Sequence, residues 1–428
     1  QPSKSDAPSI SASPSEQPSV SLFPSITLVP SATPSVSSVP SVTIEPTSDT
    51  VADGVTLRIS EVALQGGNEF INPNSVQSQA LDYVIRYVNS LMFPGRRLQG
   101  INVVEYYALA CIYFSTYAAP SRHPRSEMTG WFDSTGWITF SDKCGWFGVV
   151  CNDGGDVVGL IMPDNNMLGV LAQEIQLLNS LENVVFTDNC YLSSHGDAGL
   201  DWITKMSNLK QLFVDGTDFG YDGVPALFSQ TQLEYLDISH TLMQDGPIRK
   251  EAFAGLTGLI SLALGENAYT TAFPTDIDVL LSLTDIFLNS ATFGGNPQDL
   301  SFLAAKMPAL TNLQAGDSEL STSLPTEIGL LVSLRIMSMP SSLLTGSIPT
   351  EIGAMIALEE LDLSFNLVNG SIPVEIGQMI SLKRLRLESN AITGTIPTEI
   401  GLLVALEELR LGFNLLLGSI PTEIGLLT

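Results

Sequence analysis

The chain has 428 residues, with 45 acidic and 18 basic side chains and a formal charge of −27. A surface of that sign repels nucleic-acid phosphate and anionic lipid headgroups, so neither is expected as a main partner. Apolar residues make up 44% of the chain, enough to bury a core along most of its length. No uncharged apolar run approaches the roughly 18 residues that a membrane-spanning helix needs.

Residues 1–50 read as a disordered Ser/Pro-rich stalk, "APSISASPSEQPSVSLFPSITLVPSATPSV". Proline removes backbone donors and serine buries little, so no core forms there. Such a segment carries O-linked sugars on surface proteins, or serves as a plain linker. Residues 51–156 read as a helical N-terminal cap. In "SVQSQALDYVIRYVNSLM", Val76, Leu81, Val84, Ile85, Val88 and Leu91 recur at helical spacing. A second helix is expected from about Asn102 to Tyr117; Glu105 and its many tyrosines mark it as packed rather than membrane-spanning. Arg96-Arg97 reads as surface charge, with a processing site as the alternative. The chain begins at Gln1 and stops inside a repeat at Thr428, which points to a piece of a longer protein.

From Val157 to Thr428 the sequence is an array of about eleven repeats. The pattern L-x-x-L-x-L-x-x-N begins at Val157, Leu181, Leu209, Leu233, Leu259, Leu283, Leu310, Leu334, Leu358, Leu382 and Leu406. A fixed period near 24 residues with this pattern is the signature of leucine-rich repeats. In "LEELDLSFN", Leu358, Leu361 and Leu363 should point inward, and Asn366 should bond the backbone at the turn. The phrase "IPTEIG" at Ile348, Ile396 and Ile420 is then the return half of each coil. Gly370 permits its turn, Ile372 and Ile376 fill the core, and Pro373 fixes φ where no donor is needed. Thr217, Thr241, Ala291, Ser318 and Ser342 replace the asparagine, so the ladder should be interrupted there.

The form N-x-L-x-G-x-I-P-x-E-I-G is similar to the plant-type leucine-rich repeat of receptor-like kinase ectodomains and polygalacturonase inhibitors. "CGWFGVVC" at Cys144–Cys151 resembles the end of the plant-type N-terminal cap, and "ALDYV" with "YYALACIYFST" resembles the cap of diatom and algal surface proteins. The resemblance covers residues 55–428. It implies a curved α/β repeat solenoid with a concave parallel β-sheet and a helical cap. It also implies a Cys144–Cys151 disulfide, Trp146 packed on the first repeat, and an extracellular, oxidising setting. Cys111 and Cys190 read as buried free thiols, with a bridge between them as the alternative. Only three histidines are present, which disfavours zinc.

Nothing supports catalysis. Asp218-Phe219-Gly220 spells a kinase metal-binding triplet, but it lies inside a repeat and no other kinase motif accompanies it. His123, His195 and His240 have no evident serine or cysteine partner. No cofactor and no metal site are expected; Asp215, Asp218 and Asp222 suit calcium by ligand type, but a solvated acidic loop is the simpler reading. Asn369-Gly-Ser371 is a plausible glycan acceptor on the return side.

Binding is expected on the concave sheet. One column there reads Ile161, Val185, Phe213, Asp237, Ala263, Phe287, Gln314, Ser338, Asp362, Arg386, Arg410. Phe213, Tyr235 and Phe287, rimmed by Asp215, Asp237, His240 and Glu266, form the expected anchor patch. The phenylalanines should project away from the core, so that truncating them would barely affect folding. Glu359–Lys383–Glu407, Glu360–Arg384–Glu408 and Asp362–Arg386–Arg410 read as cross-strand charge columns, with Arg410 lacking an acid in its own column. The expected function is extracellular recognition of a protein, peptide or glycan. The alternatives are a structural wall or adhesion role, or the ectodomain of a membrane receptor. Leu411 and Ile420 at the final repeat suggest end-to-end association or fraying.

Overall fold

The computed structural model describes residues 48–65, 67–91, 101–117, 130–193, 201–219, 232–241, 244–246, 248, 252–273, 280–294 and 300–427. Most of the Ser/Pro segment, Arg96, Arg97, His123, His195 and Asp222 lie outside these residues.

Three helices open the described chain: α1 (Ser48–Ser60), α2 (Val76–Leu91) and α3 (Val103–Thr116). The Asn102 side chain accepts from the Glu105 amide and starts α3. Helix α2 buries Ala80, Leu81, Val84, Tyr87 and Val88 along one face. Helix α3 is buried on every side from Tyr106 to Ile112, as expected of the central helix of a cap. Trp131, Trp137 and Trp146 follow it as a ring cluster, with centroids 4.7 Å apart for the first pair and 5.2 Å for the second. The other aromatic neighbours of Trp146 are Tyr83 and Tyr106, both of the cap. The Trp131 and Trp137 ring N–H groups donate to the carbonyls of Thr116 and Phe147.

The cap is joined to the array at one buried junction. A disulfide links Cys144 and Cys151. Strand β1 (Val149–Cys151) pairs antiparallel with β2 (Val157–Ile161), the first strand of the array. Between cap and strand lies a buried ion pair, Lys143 Nζ to Glu105 Oε2 at 3.3 Å. Glu105 Oε1 accepts from the Val157 amide at 3.0 Å, and Lys143 Nζ donates to the Gly155 carbonyl at 2.7 Å. The ammonium also stands 5.2 Å from the Tyr106 ring centre, within cation–π range. One carboxylate thus ties helix, disulfide loop and first repeat together.

Each later repeat adds one three-residue strand: β3 (Asn183–Val185), β4 (Gln211–Phe213), β5 (Tyr235–Asp237), β6 (Ser261–Ala263), β7 (Asp285–Phe287), β8 (Asn312–Gln314), β9 (Ile336–Ser338), β10 (Glu360–Asp362), β11 (Arg384–Arg386) and β12 (Glu408–Arg410). Together with β1 and β2 they form one twelve-stranded sheet in sequence order, parallel from β2 onward. The middle residue of each strand turns inward. Leu361 and Leu385 are fully buried, as are Leu358, Leu363 and Ile376.

Asn366 forms its expected bonds: its side-chain amide donates to the Met339 and Leu363 carbonyls, and its oxygen accepts from the Ser342 and Leu344 amides. The replacements interrupt this ladder unequally. Ser318 and Ser342 still donate to carbonyls of the preceding repeat, Leu288 and Ala315. Thr217 donates to its own turn, at Val214, and Thr241 to its own turn at Ile238 and, at 3.5 Å, to the Asn267 side-chain oxygen of the next repeat. A short hydroxyl on a β-branched residue reaches its own i−3 carbonyl first.

Cys111 is buried, but Cys190 is exposed, correcting the expectation of two buried thiols. Asn189 takes the inward place at that turn, so the next side chain faces out.

The return phrase forms a short 3-10 turn, Thr350–Ala354 in one repeat, entered from Pro349 at φ −71°. Its two kinds of glycine have different reasons. Gly370 has φ +72°, which a side chain disfavours. At Gly353 a Cβ would stand 2.6 Å from the Glu375 carbonyl oxygen of the next repeat. Glycine therefore sets how closely successive coils stack. Gly353→Ala is expected to cost about 1–3 kcal/mol, the usual range for overpacking. Gly425→Ala, where no atom lies within 4 Å of the added carbon, should be neutral. Equal denaturation midpoints for both variants would reject this stacking role.

Candidate functional site: the open face of the sheet

In each strand the residues flanking the inward leucine face away from the core. Parallel register aligns them in columns whose successive members lie about 4.8 Å apart. One column runs Val185, Phe213, Asp237, Ala263, Phe287 and Gln314. The adjacent one runs Asn183, Gln211, Tyr235, Ser261, Asp285 and Asn312. Phe213, Tyr235, Asp237 and Phe287 are therefore brought onto one face over four successive strands. His240 and Glu266 follow their strands at the position where each repeat turns left-handed, with φ of 49° and 52°. That backbone lifts both side chains outward: His240 Nδ1 lies 3.6 Å from Glu266 Oε2, and both are more than half exposed.

The phenylalanines differ from expectation. Phe213 is 9% exposed and Phe287 5%. Both stand outside the continuous core cluster, yet little of either ring meets solvent. Truncating them should therefore cost fold stability as well as contact area. Val185, Ala263 and Ser261 are similarly buried. Among the described residues the Ser261 hydroxyl has no hydrogen-bond partner, and only the column register, not a motif, leads to it.

The acids are unevenly solvated. Asp237 is buried and accepts from the Ser239 amide at 2.9 Å. Burial pushes its carboxyl up to about 7, and the charges of Asp215 and Glu266 add to the rise. Asp215 accepts from the Thr187 hydroxyl at 2.8 Å; burial raises its carboxyl above the ordinary range, with the Asp188 charge acting the same way. The patch therefore gains negative charge as pH rises through neutrality. Asp218 lies apart: its amide bonds the Leu192 carbonyl, and Phe219 is a core residue 6.4 Å from Trp202. Among the described residues, no group of three His, Cys, Asp or Glu side chains is placed to hold a metal ion.

Farther along, the face carries a charge network. Arg386 reaches Glu360 at 3.0 Å, Asp362 at 3.5 Å and Glu408 at 2.7 Å. Arg384 pairs with Glu360, and Lys383 with Glu359 at 2.7 Å. Arg410 is not without an acid: it reaches diagonally to Glu388 at 3.7 Å and pairs with Glu408 on its own strand. Column reading misses such diagonal pairs because a long guanidinium spans more than one strand spacing. No helix among the described residues is long and apolar enough to cross a membrane.

The Leucine Rich Repeat family model matches residues 357–379 and 381–403. The receptor-like protein kinase BRI1-like 3 of Arabidopsis thaliana is 32% identical over 143 residues, covering 33% of this chain and 10% of that protein. The crystal structure of a TDR receptor aligns with a TM-score of 0.57 and 25% identity over 62% of this chain and 44% of that one. The Arabidopsis receptor kinase HAESA, solved in complex with the peptide hormone IDA and the co-receptor SERK1, aligns with a TM-score of 0.52 and 22% identity, over 64% and 49% of the two chains. The match thus spans a tenth of the curated relative and less than half of each receptor chain.

Proposed function

We propose that this leucine-rich-repeat solenoid is an extracellular recognition module that binds a protein or peptide across β4–β7. The carrying observation is the run of Phe213, Tyr235, Asp237 and Phe287 on one open face, with acids at its rim. Aromatic anchors surrounded by charge are the usual composition of a binding hot spot. Similarity to receptor ectodomains, one of them solved with a peptide hormone, supports a peptide-sized ligand. A glycan ligand is the second reading: the same aromatics and carboxylates would suit the faces and hydroxyls of sugar rings. In either case the module binds rather than catalyses.

The test begins with peptide and glycan arrays probed with the whole chain. For a ligand so identified, Glu266→Lys should change the association rate and its salt dependence, and leave the unfolding free energy within about 0.5 kcal/mol of the parent. Asp237 is unsuitable for the same test, because a lysine there would be buried. A ligand whose association is indifferent to Glu266→Lys at low salt would place the site elsewhere.

A further inference from the structure

The edge at which the strands begin carries a second pattern, distinct from the aromatic patch of β4–β7. A shallow recess of about 560 Å³ is lined there by Ser333, Arg335, Ala357, Glu359, Ile380, Ser381, Lys383 and Ala405. It takes one small residue from each repeat: Ser333, Ala357, Ser381 and Ala405. On one side stands an aliphatic column, Val332, Ile356, Ile380 and Val404, whose members are 53–67% exposed. On the other stands a charged column, Arg335, Glu359, Lys383 and Glu407. Exposed apolar residues are ordinary singly, but four in register form a continuous stripe. The repeats involved are separated by uniform 24-residue steps, whereas earlier steps range from 24 to 28.

The aliphatic column reads the same in reverse, and the charged column reads with every sign inverted. The aliphatic column is Val-Ile-Ile-Val. Leu330 and Leu402, 59% and 56% exposed, flank it at matching positions. The charges are plus, minus, plus, minus, so the reversed column opposes every charge with its opposite. A two-fold axis lying in the plane of contact, perpendicular to the solenoid and crossing between the repeats of Leu358 and Leu382, would superpose the two readings. Val332 would then meet the partner copy's Val404 position, and Ile356 the Ile380 position. Arg335 would face Glu407, and Glu359 would face Lys383, each pair twice. The parallel arrangement would set the aliphatic stripe against the charges instead, and is excluded on desolvation cost.

We propose that this edge is a self-complementary surface through which two copies of the chain pair antiparallel. Closed two-fold contacts are the commonest form of self-assembly, and they require a patch that complements itself. The intrachain pairs leave room for this. Glu359 is shared between Arg335 and Lys383, while Glu407 forms no ion pair among the described residues. The four charges sum to zero in a chain of −27, so this edge also carries none of the excess charge that opposes association of two copies. The aromatic patch of β4–β7 lies in other repeats and takes no part in this contact.

Sedimentation of the full chain tests the proposal. A monomer–dimer equilibrium is expected between about 1 μM and about 0.1 mM. Ile356→Asp with Ile380→Asp should leave only monomer; both side chains are exposed, and circular dichroism checks that the fold is kept. Glu359→Lys places like charges opposite each other twice, and should weaken the dimer at least about tenfold. Adding Lys383→Glu restores opposite pairing across the axis and should recover most of that loss, which a contact with an unrelated protein would not. A chain monomeric up to about 0.1 mM overturns the proposal. So does a dimer that survives the two isoleucine substitutions but is lost with Phe413→Asp and Ile420→Asp, because assembly then runs through the last repeat.

Discussion

Glu105→Ala is expected to destabilise the chain by about 3–5 kcal/mol, the cost of removing one partner from a buried ion pair. Both side chains are almost fully buried, at 4% and 6% exposure. Without the carboxylate, the Lys143 ammonium is left in the interior with the Gly155 carbonyl and the Tyr106 ring as its remaining partners. The Val157 amide also loses its acceptor, at the first strand of the array. A solenoid needs its terminal cap to cover the first repeat, so loosening this junction exposes apolar surface. Replacing both partners, Glu105→Leu with Lys143→Met, should recover most of the loss, because no charge is then buried alone. Denaturant unfolding of the three proteins decides the matter. A single variant within about 1 kcal/mol of the parent would show that the pair does not hold the junction.

Phe287→Ala is expected to have two separable effects. The side chain is 5% exposed, so truncation should destabilise by roughly 3 kcal/mol, at the low end of the range for buried phenylalanine because the residue lies outside the main core. If it also anchors a ligand, affinity should fall by about 2 kcal/mol or more, roughly thirtyfold. Phe213→Ala should behave alike, with a smaller stability cost at 9% exposure. The two effects part in a titration at a temperature where both variants are fully folded. Loss of stability with unchanged affinity would make these rings structural.

The repeat was legible because its determinants are local and periodic. Leu358, Leu361 and Leu363 are fixed by the inward turn of one strand, and their counterparts recur at steps of 24 to 28 residues. The columns of the open face followed from aligning the repeat starts, since each strand keeps the same register. What escaped reading depended on partners distant in sequence. Glu105 looked like the polar spot of a helix, yet its bonds are to Lys143 and Val157, 38 and 52 positions away. Gly353 looked like part of a phrase; its reason is the Glu375 carbonyl of the following coil. The burial of Phe213 and Phe287 was misjudged because alternation says which way a side chain leaves the strand, not how much of it water reaches.

The central claim is that β4–β7 hold the ligand on their open face. Hydrogen exchange of the whole chain, with and without a ligand found on the arrays, tests it most directly. The account predicts slower exchange on binding across residues 211–215, 235–241, 261–266 and 285–290, with little change in the 3-10 turns at Thr326–Leu330 and Thr350–Ala354. Protection confined to those return turns, or to the strand-start edge around Ile356 and Ile380, would contradict it.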